Sequence, residues 1–141
     1  MRRIFWLFKA VTIILLASLS VGFAVMLSAL PVFAGGEGYE LYLGESSSAP
    51  VLMTDDPVLD KLTHTAVGES ARFDGDRYEE LKKRFRAKLL FCEEQDGAAH
   101  YYLYSPLLGA GTYLKGYSVN LHIAVRGNRT TAGTPLIFGG V

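Results

Sequence analysis

Cysteine is almost missing from this chain. Cys92 stands alone among 141 residues, so no internal disulfide can staple the fold and no zinc site can be built from thiolates. Tryptophan is as scarce: the only one, Trp6, falls in the N-terminal segment, and eight tyrosines supply much of the later aromatic bulk. There is no internal repeat and no overall charge excess, with 14 basic and 14 acidic residues. Arg2, Arg3 and Lys9 sit in the first ten residues, however, so 11 basic residues face 14 acidic ones after Ala34, a net of −3. A mildly acidic domain lacks the basic footprint that displaces counterions from phosphates, and nucleic acid is disfavoured as a partner.

Motifs for chemistry are also lacking. Gly109-Ala110-Gly111 begins like a dinucleotide fingerprint, but Leu114 stands where the third glycine belongs, and no Gly-Lys-Ser or Gly-Lys-Thr phosphate loop occurs. Ser46 and Ser70 each follow Gly-Glu without the later glycine of a nucleophile elbow. His64, His100 and His122 are 36 and 22 residues apart, with no metal-ligand spacing. Asp55, Asp56 and Asp60 are the densest acids, but the glycine and terminal glutamate of a calcium loop are missing, and helix capping accounts for them. Cys92 reads as a buried structural thiol within an apolar strand. These readings assign no catalytic, cofactor-binding or metal-ligating residue.

What is present begins with MRRIFWLFK, followed by 21 uncharged residues from Ala10 to Leu30. Such a run is long enough to cross a hydrocarbon layer of roughly 30 Å as a helix, and the basic residues ahead of it predict an N-terminus that stays in the cytoplasm. Two readings remain open. Pro31 and the small residues around Ala34-Gly35 suit removal of residues 1–34 as a signal peptide, which would start the mature chain at Gly35. The length of the run instead suits a retained transmembrane anchor, with residues 4–30 in the membrane. Either way residues 35–141 form an extracytoplasmic domain.

Within that domain, Tyr39 to Leu43 and Gly68 to Phe73 read as strands, separated by a loop at Gly44 to Pro50, a short run at Val51 to Met53 and a short helix started by Asp55-Asp56-Pro57. The clearest helix begins at Asp76, whose spacing to Glu79 is that of a capping box, and it turns Tyr78, Leu81 and Phe85 to one face. The basic run Lys82 to Arg86 is its solvated face and last turn. Asp96-Gly97 marks a hairpin that pairs Glu93 with His100, Phe91 with Tyr102 and Leu89 with Tyr104 on one face, and Leu90 with Leu103 and Cys92 with Tyr101 on the other. After a long connection, Gly127-Asn128 turns a second hairpin. There Val119, Leu121, Ile123 and Val125 alternate with Asn120, His122, Ala124 and Arg126 as in a half-buried strand, and Pro135 requires that the last strand be a sheet edge or have that position turned outward. The fold class is therefore α+β: one amphipathic helix packed on an antiparallel sheet of about four to five strands, behind an N-terminal hydrophobic helix.

The stretch NLHIAVRGNRTTAGTPLIFGG and the tyrosine-rich YYLYSPLL before it resemble the C-terminal part of the YwmB family of exported Gram-positive proteins. The matching positions are Asn120, Leu121, Ile123, Ala124, Gly133, Thr134 and Pro135. The resemblance implies an exported protein with a fold like that of the TATA-box-binding protein, a helix on a curved antiparallel sheet. It implies no particular biochemical activity. It covers about the last forty residues, and the chain lacks an equivalent of the family's N-terminal half.

The expected function is non-enzymatic binding of a cell-envelope protein, without a cofactor. Its candidate surface is the strip formed by His100, Tyr102 and Tyr104, which share one strand face. Alternatives are a small wall-acting enzyme with Asp55 or Glu93 as catalyst, and nucleic-acid binding through a curved sheet.

Overall fold

A computed structural model describes residues 2–46 and 48–140. Ser47, part of the loop expected at 44–50, lies outside them. The described chain forms α1 (Arg2–Ala29), β1 (Tyr39–Tyr42), β2 (Val51–Thr54), α2 (Pro57–Thr63), β3 (Gly68–Asp74), α3 (Tyr78–Arg84), β4 (Lys88–Gln95), β5 (Ala98–Tyr104), β6 (Thr112–Leu114), β7 (Tyr117–Val119), β8 (Leu121–Arg126) and β9 (Arg129–Thr134). The fold is α+β. Seven strands make one antiparallel sheet in the order β2-β1-β3-β9-β8-β5-β4, and β6 and β7 form a separate hairpin.

Local chemistry explains most of these elements. Asp96 and Gly97 both take left-handed backbone (φ 52° and 76°), which a two-residue turn of that twist requires. Lys115-Gly116 repeats this pattern (φ 50° and 83°), so the connection between β5 and β8 contains a hairpin that its sequence did not announce. Asp56 accepts the Leu59 N–H at the start of α2 (3.4 Å), with Pro57 at the first helical position.

The start of α3 is set differently from the capping-box expectation. Asp76 Oδ1 accepts the Tyr78 N–H (3.0 Å), and Thr130 Oγ1 of β9 accepts from Arg77 N (2.9 Å) while donating to Gly75 O (2.8 Å). The helix thus begins two residues after Asp76, under a tertiary cap. It still turns Tyr78, Leu81 and Phe85 inward, onto a core of Tyr39, Ala71, Leu103, Leu121, Ile123 and Ala132.

Register decides three further points. Phe91, Cys92 and Glu93 pair with Tyr102, Tyr101 and His100 as the hairpin pattern predicts, but an irregularity between Leu89 and Phe91 pairs Leu89 with Leu103. A bulge adds a residue on one strand, so Leu89 joins the helix-side core instead of facing Tyr104. Cys92 is exposed: β4 is the outermost strand, and the seven residues of α3 do not reach over it. β9 is central, between β3 and β8, and its last paired residue is Thr134, so the ladder ends before Pro135 would have to donate. β8 is correspondingly buried on both faces from Leu121 to Ala124.

The second face of β8 is closed by residues 135–140. Gly133 makes this possible, because a Cβ there would lie 2.8 Å from the Ile137 side chain and 2.9 Å from Leu136 O. From that crossing the tail runs over the sheet: Ile137 N–H donates to His122 Nδ1 (3.2 Å), Phe138 N–H donates to the Tyr42 hydroxyl (3.1 Å), and Gly139 rests against the Glu40 carboxylate.

The junction between α1 and the sheet is packed as tightly as the core. Phe33 is wholly buried and meets Phe85 edge to face at 5.4 Å. Its N–H donates to Glu69 Oε1 (3.2 Å) and its carbonyl accepts from the Tyr39 hydroxyl (3.0 Å). Arg84 donates to Ala34 O (3.0 Å). Glu69 is itself buried on β3, and its Oε2 is paired with the Lys61 ammonium of α2, which also donates to Leu30 O (3.1 Å). Breaking a buried pair leaves a charge without compensation. Lys61→Ala should therefore lower the stability of the domain by about 3 kcal/mol, at the low end because the Lys61 side chain keeps 12% of its exposure. Replacing both partners, as Lys61→Met with Glu69→Leu, should recover most of that loss in urea unfolding.

Candidate functional site

The face of the sheet away from α3 carries one row that runs across the sheet in register: Met53, Glu40, Ser70, Gly133, His122, Tyr102 and Phe91. Its β4 end is aromatic. Phe91 stacks on Tyr102 (4.5 Å between centroids, 18°), and Tyr102 stacks on His122 (4.4 Å, 15°). Tyr117 from the β6–β7 hairpin tilts over Phe91 at 6.0 Å, and the Lys115 ammonium lies 5.4 Å from the same ring. Flat rings on adjacent strands stack because aligned cross-strand side chains lie about 5 Å apart.

His100 is in the next row of the same face, and its Nδ1 is 3.0 Å from His122 Nε2. Since Ile137 N–H occupies His122 Nδ1, the proton of neutral His122 must be on Nε2, where it is donated to His100. The network opposes protonation of either ring: a proton on His122 Nδ1 would expel the tail, and one on His100 Nδ1 would break the pair. Burial holds His122 at a pKa of about 3, with the His100 charge adding to the effect. Burial, then the Arg126 charge, lowers His100 as well.

Of the surface anticipated from sequence, His100 and Tyr102 are half-buried and committed to this network, and Tyr104 is exposed. The partner expected for His100 was Glu93. They are opposite each other in the ladder, but the Glu93 carboxylate is paired with Lys115 and His100 with His122. The exposed aromatic area extends instead to Tyr117 of the β6–β7 hairpin, 47% exposed, while Tyr113, 78% exposed, pairs with Ser118 and points to the hairpin's other face. Phe91, Tyr117 and His122 were not singled out as site residues, because their convergence depends on pairings among β4, β5, β8 and the β6–β7 hairpin. The Lys115-Gly116 dipeptide was the one available signal for that hairpin.

A cavity of about 650 Å³ lies on the other side of the tail, between the α1 junction and the 108–112 loop. Lys61, Glu69, Val32, Gly109, Thr134 and Phe138 are among the residues that line it. The Gly109-Ala110-Gly111 stretch is thus a cavity wall. Asn120 shapes that loop: its Oδ1 accepts from Ser105 N (2.7 Å), and its Nδ2 donates to Ser105 O (2.8 Å) and Gly109 O (3.0 Å). Asp55, after β2, and Glu93, on β4, stand at opposite edges of the sheet. Among the described residues no three His, Cys, Asp or Glu side chains gather as a metal-ligand set. An apolar helix, Ile4–Ala29, has the length and composition to cross a membrane. Comparison of the chain with protein families, with curated proteins and with solved structures finds no match.

Proposed function

We infer that this protein is a binding module held at the outer face of the cytoplasmic membrane by an uncleaved α1. The observation that supports retention is Phe33. Cleavage after Ala34 would strip from the core a wholly buried ring, and with it the N–H that Glu69 accepts and the carbonyl that Tyr39 and its hydroxyl hold. A signal peptide designed for removal has no reason to be built into the domain it leaves.

The binding surface is the aromatic area around Phe91 and Tyr102, with Tyr104 and Tyr117 at its exposed margin, and the partner is an envelope protein. Large, stiff aromatic side chains bury much area at low entropic cost, which favours them as anchors of protein interfaces. The YwmB resemblance belongs to this proposal as a relationship of exported proteins. Against nucleic acid, Arg72 on the same sheet face is paired with Glu40, and the tail covers the middle of that face.

Two measurements test the reading. The intact mass of the chain recovered from host membranes should include residues 1–34; a chain starting at Gly35 would refute retention. A photo-crosslinking residue at Tyr117 should yield one discrete protein adduct in cells, abolished by Phe91→Ala with Tyr104→Ala. An adduct that survives those changes, or none at all, would refute the surface.

A further inference from the structure

α2 has two faces of different character. Pro57 and Lys61 turn toward the domain, Pro57 buried and Lys61 bonded to Leu30 O and Glu69. Leu59 and Leu62, one turn apart on the opposite face, are 60% and 45% exposed. Residues three apart on a helix lie on one side of it, so these two leucines form an apolar ridge directed away from the core. Val67, shortly after α2 in the chain, and Leu30, next to the end of α1 and held through its carbonyl by Lys61, are exposed as well.

Position indicates what meets this ridge. α2 is fastened to the last turn of α1: Lys61 holds Leu30 O, and Ser28 lines a small crevice together with Lys61, His64 and Thr65. The apolar span of α1 is 26 residues, which at 1.5 Å per residue is about 39 Å, longer than a hydrocarbon layer of roughly 30 Å. A helix that tilts to absorb this excess ends at the boundary between acyl chains and headgroups, the depth at which α2 is attached.

We propose that α2 is a lipid-contacting element whose Leu59 and Leu62 enter the outer leaflet beside the α1 exit, so that the domain sits on the membrane in one orientation instead of swinging on a tether. This proposal rests on the anchored reading above. The ridge supplies the apolar side of an interfacial helix, two leucines directed at the headgroup and acyl boundary, while its one lysine is used within the domain on Glu69 and Leu30 O. Its consequence is geometric: the domain is fixed relative to the bilayer by two points, α1 and α2.

The test uses the full chain reconstituted in phosphatidylcholine vesicles with brominated acyl chains, which quench only indoles near the acyl region. The natural protein, whose sole indole is Trp6, reports on α1. In a Trp6→Phe background, Leu59→Trp and Leu62→Trp report on the ridge, and Gln95→Trp, at the turn between β4 and β5, serves as the distant control. The two α2 indoles should lose about half their emission and shift to the blue, as for side chains some 5–10 Å below the headgroup surface, while Gln95→Trp is unaffected. Quenching of Trp6 without quenching at 59 and 62 would overturn the seat and leave the anchor standing. Absence of Trp6 quenching would overturn both. Equal quenching at 95, 59 and 62 would refute a fixed orientation. Leu59→Asn with Leu62→Asn guards against folding artefacts: it should leave the urea midpoint in detergent unchanged and raise the protease accessibility of α2 in vesicles, and unchanged accessibility would count against the seat.

Discussion

Phe33→Ala is expected to destabilise the domain by about 3–5 kcal/mol, the usual range for removing a buried aromatic side chain. The ring is wholly buried, touches Phe85 edge to face, and belongs to the same cluster as Leu81, Leu103, Leu121 and Ile123. Its loss leaves a cavity at the point where α3 meets the sheet, and the walls are fixed on both sides by hydrogen bonds to the Phe33 backbone. Urea unfolding of the full chain in detergent, followed by tyrosine near-ultraviolet dichroism, measures this directly, because the only indole is outside the domain. A fragment beginning at Gly35 should show a loss at least as large, since it lacks the ring and also the two backbone partners of Glu69 and Tyr39. A fragment as stable as the full chain would remove the physical case for an uncleaved anchor.

Acid should weaken the fold well above the carboxylate range. His122 takes up its proton at about pH 3 in the folded protein, against about 6.5 in the unfolded chain. Between those values the unfolded state binds the proton and the folded state does not, so stability is full above pH 6.5 and falls as the pH drops toward 3. The slope for one proton is about 1.4 kcal/mol per pH unit, with a total on the order of 5 kcal/mol across the window if the tail stays in place. His100, also lowered by burial and Arg126, acts in the same direction over its own narrower interval. His122→Gln offers an acceptor to Ile137 without titrating, and should flatten the profile between pH 6.5 and 4. A variant whose midpoint falls with acid as steeply as the natural chain would show that His122 is not the responsible group. Because protonation breaks the bond to Ile137 N–H, the first local change expected on acidification is release of residues 135–140, visible as loss of amide protection at Ile137 and Phe138.

Much of this architecture is written in local patterns. The 21 uncharged residues of the leader, the Asp96-Gly97 turn and the spacing of Tyr78, Leu81 and Phe85 each carry their own physical reason within a few residues. The short helix after Asp56 is of the same kind, since a carboxylate and a proline suffice to start it. Failures cluster where a residue's surroundings come from distant chain. Cys92 has apolar neighbours in sequence, but exposure depends on which strand ends the sheet. The alternation from Val119 to Arg126 is that of a strand with one wet face, and from Leu121 to Ala124 it is buried on both faces because the C-terminal tail doubles back over Gly133. Pro135 suggested an edge or a position turned outward because it lacks a donor; β9 is central, and its ladder stops at Thr134, before the proline.

The candidate surface divides in the same way. Tyr102 and Tyr104 could be placed on one face by their spacing of two, and His100 with them. That Tyr102 would be stacked between Phe91 and His122, and that His100 would bond to a histidine instead of Glu93, required β5 to lie between β4 and β8, two strands supplied by separate hairpins.

The sequence by itself determined the apolar N-terminal helix, the α+β class, the hairpins at Asp96-Gly97 and Gly127-Asn128 and the inward face of α3, because hydrophobic periodicity and turn chemistry act over a few residues. Tertiary structure alone decided that Phe33 belongs to the core, that Lys61 and Glu69 are buried together, and that the tail seals the sheet over His122. Those are contacts between segments as much as 96 residues apart, as for Phe138 and Tyr42. Their existence depends on strand order and burial, which no local pattern carries.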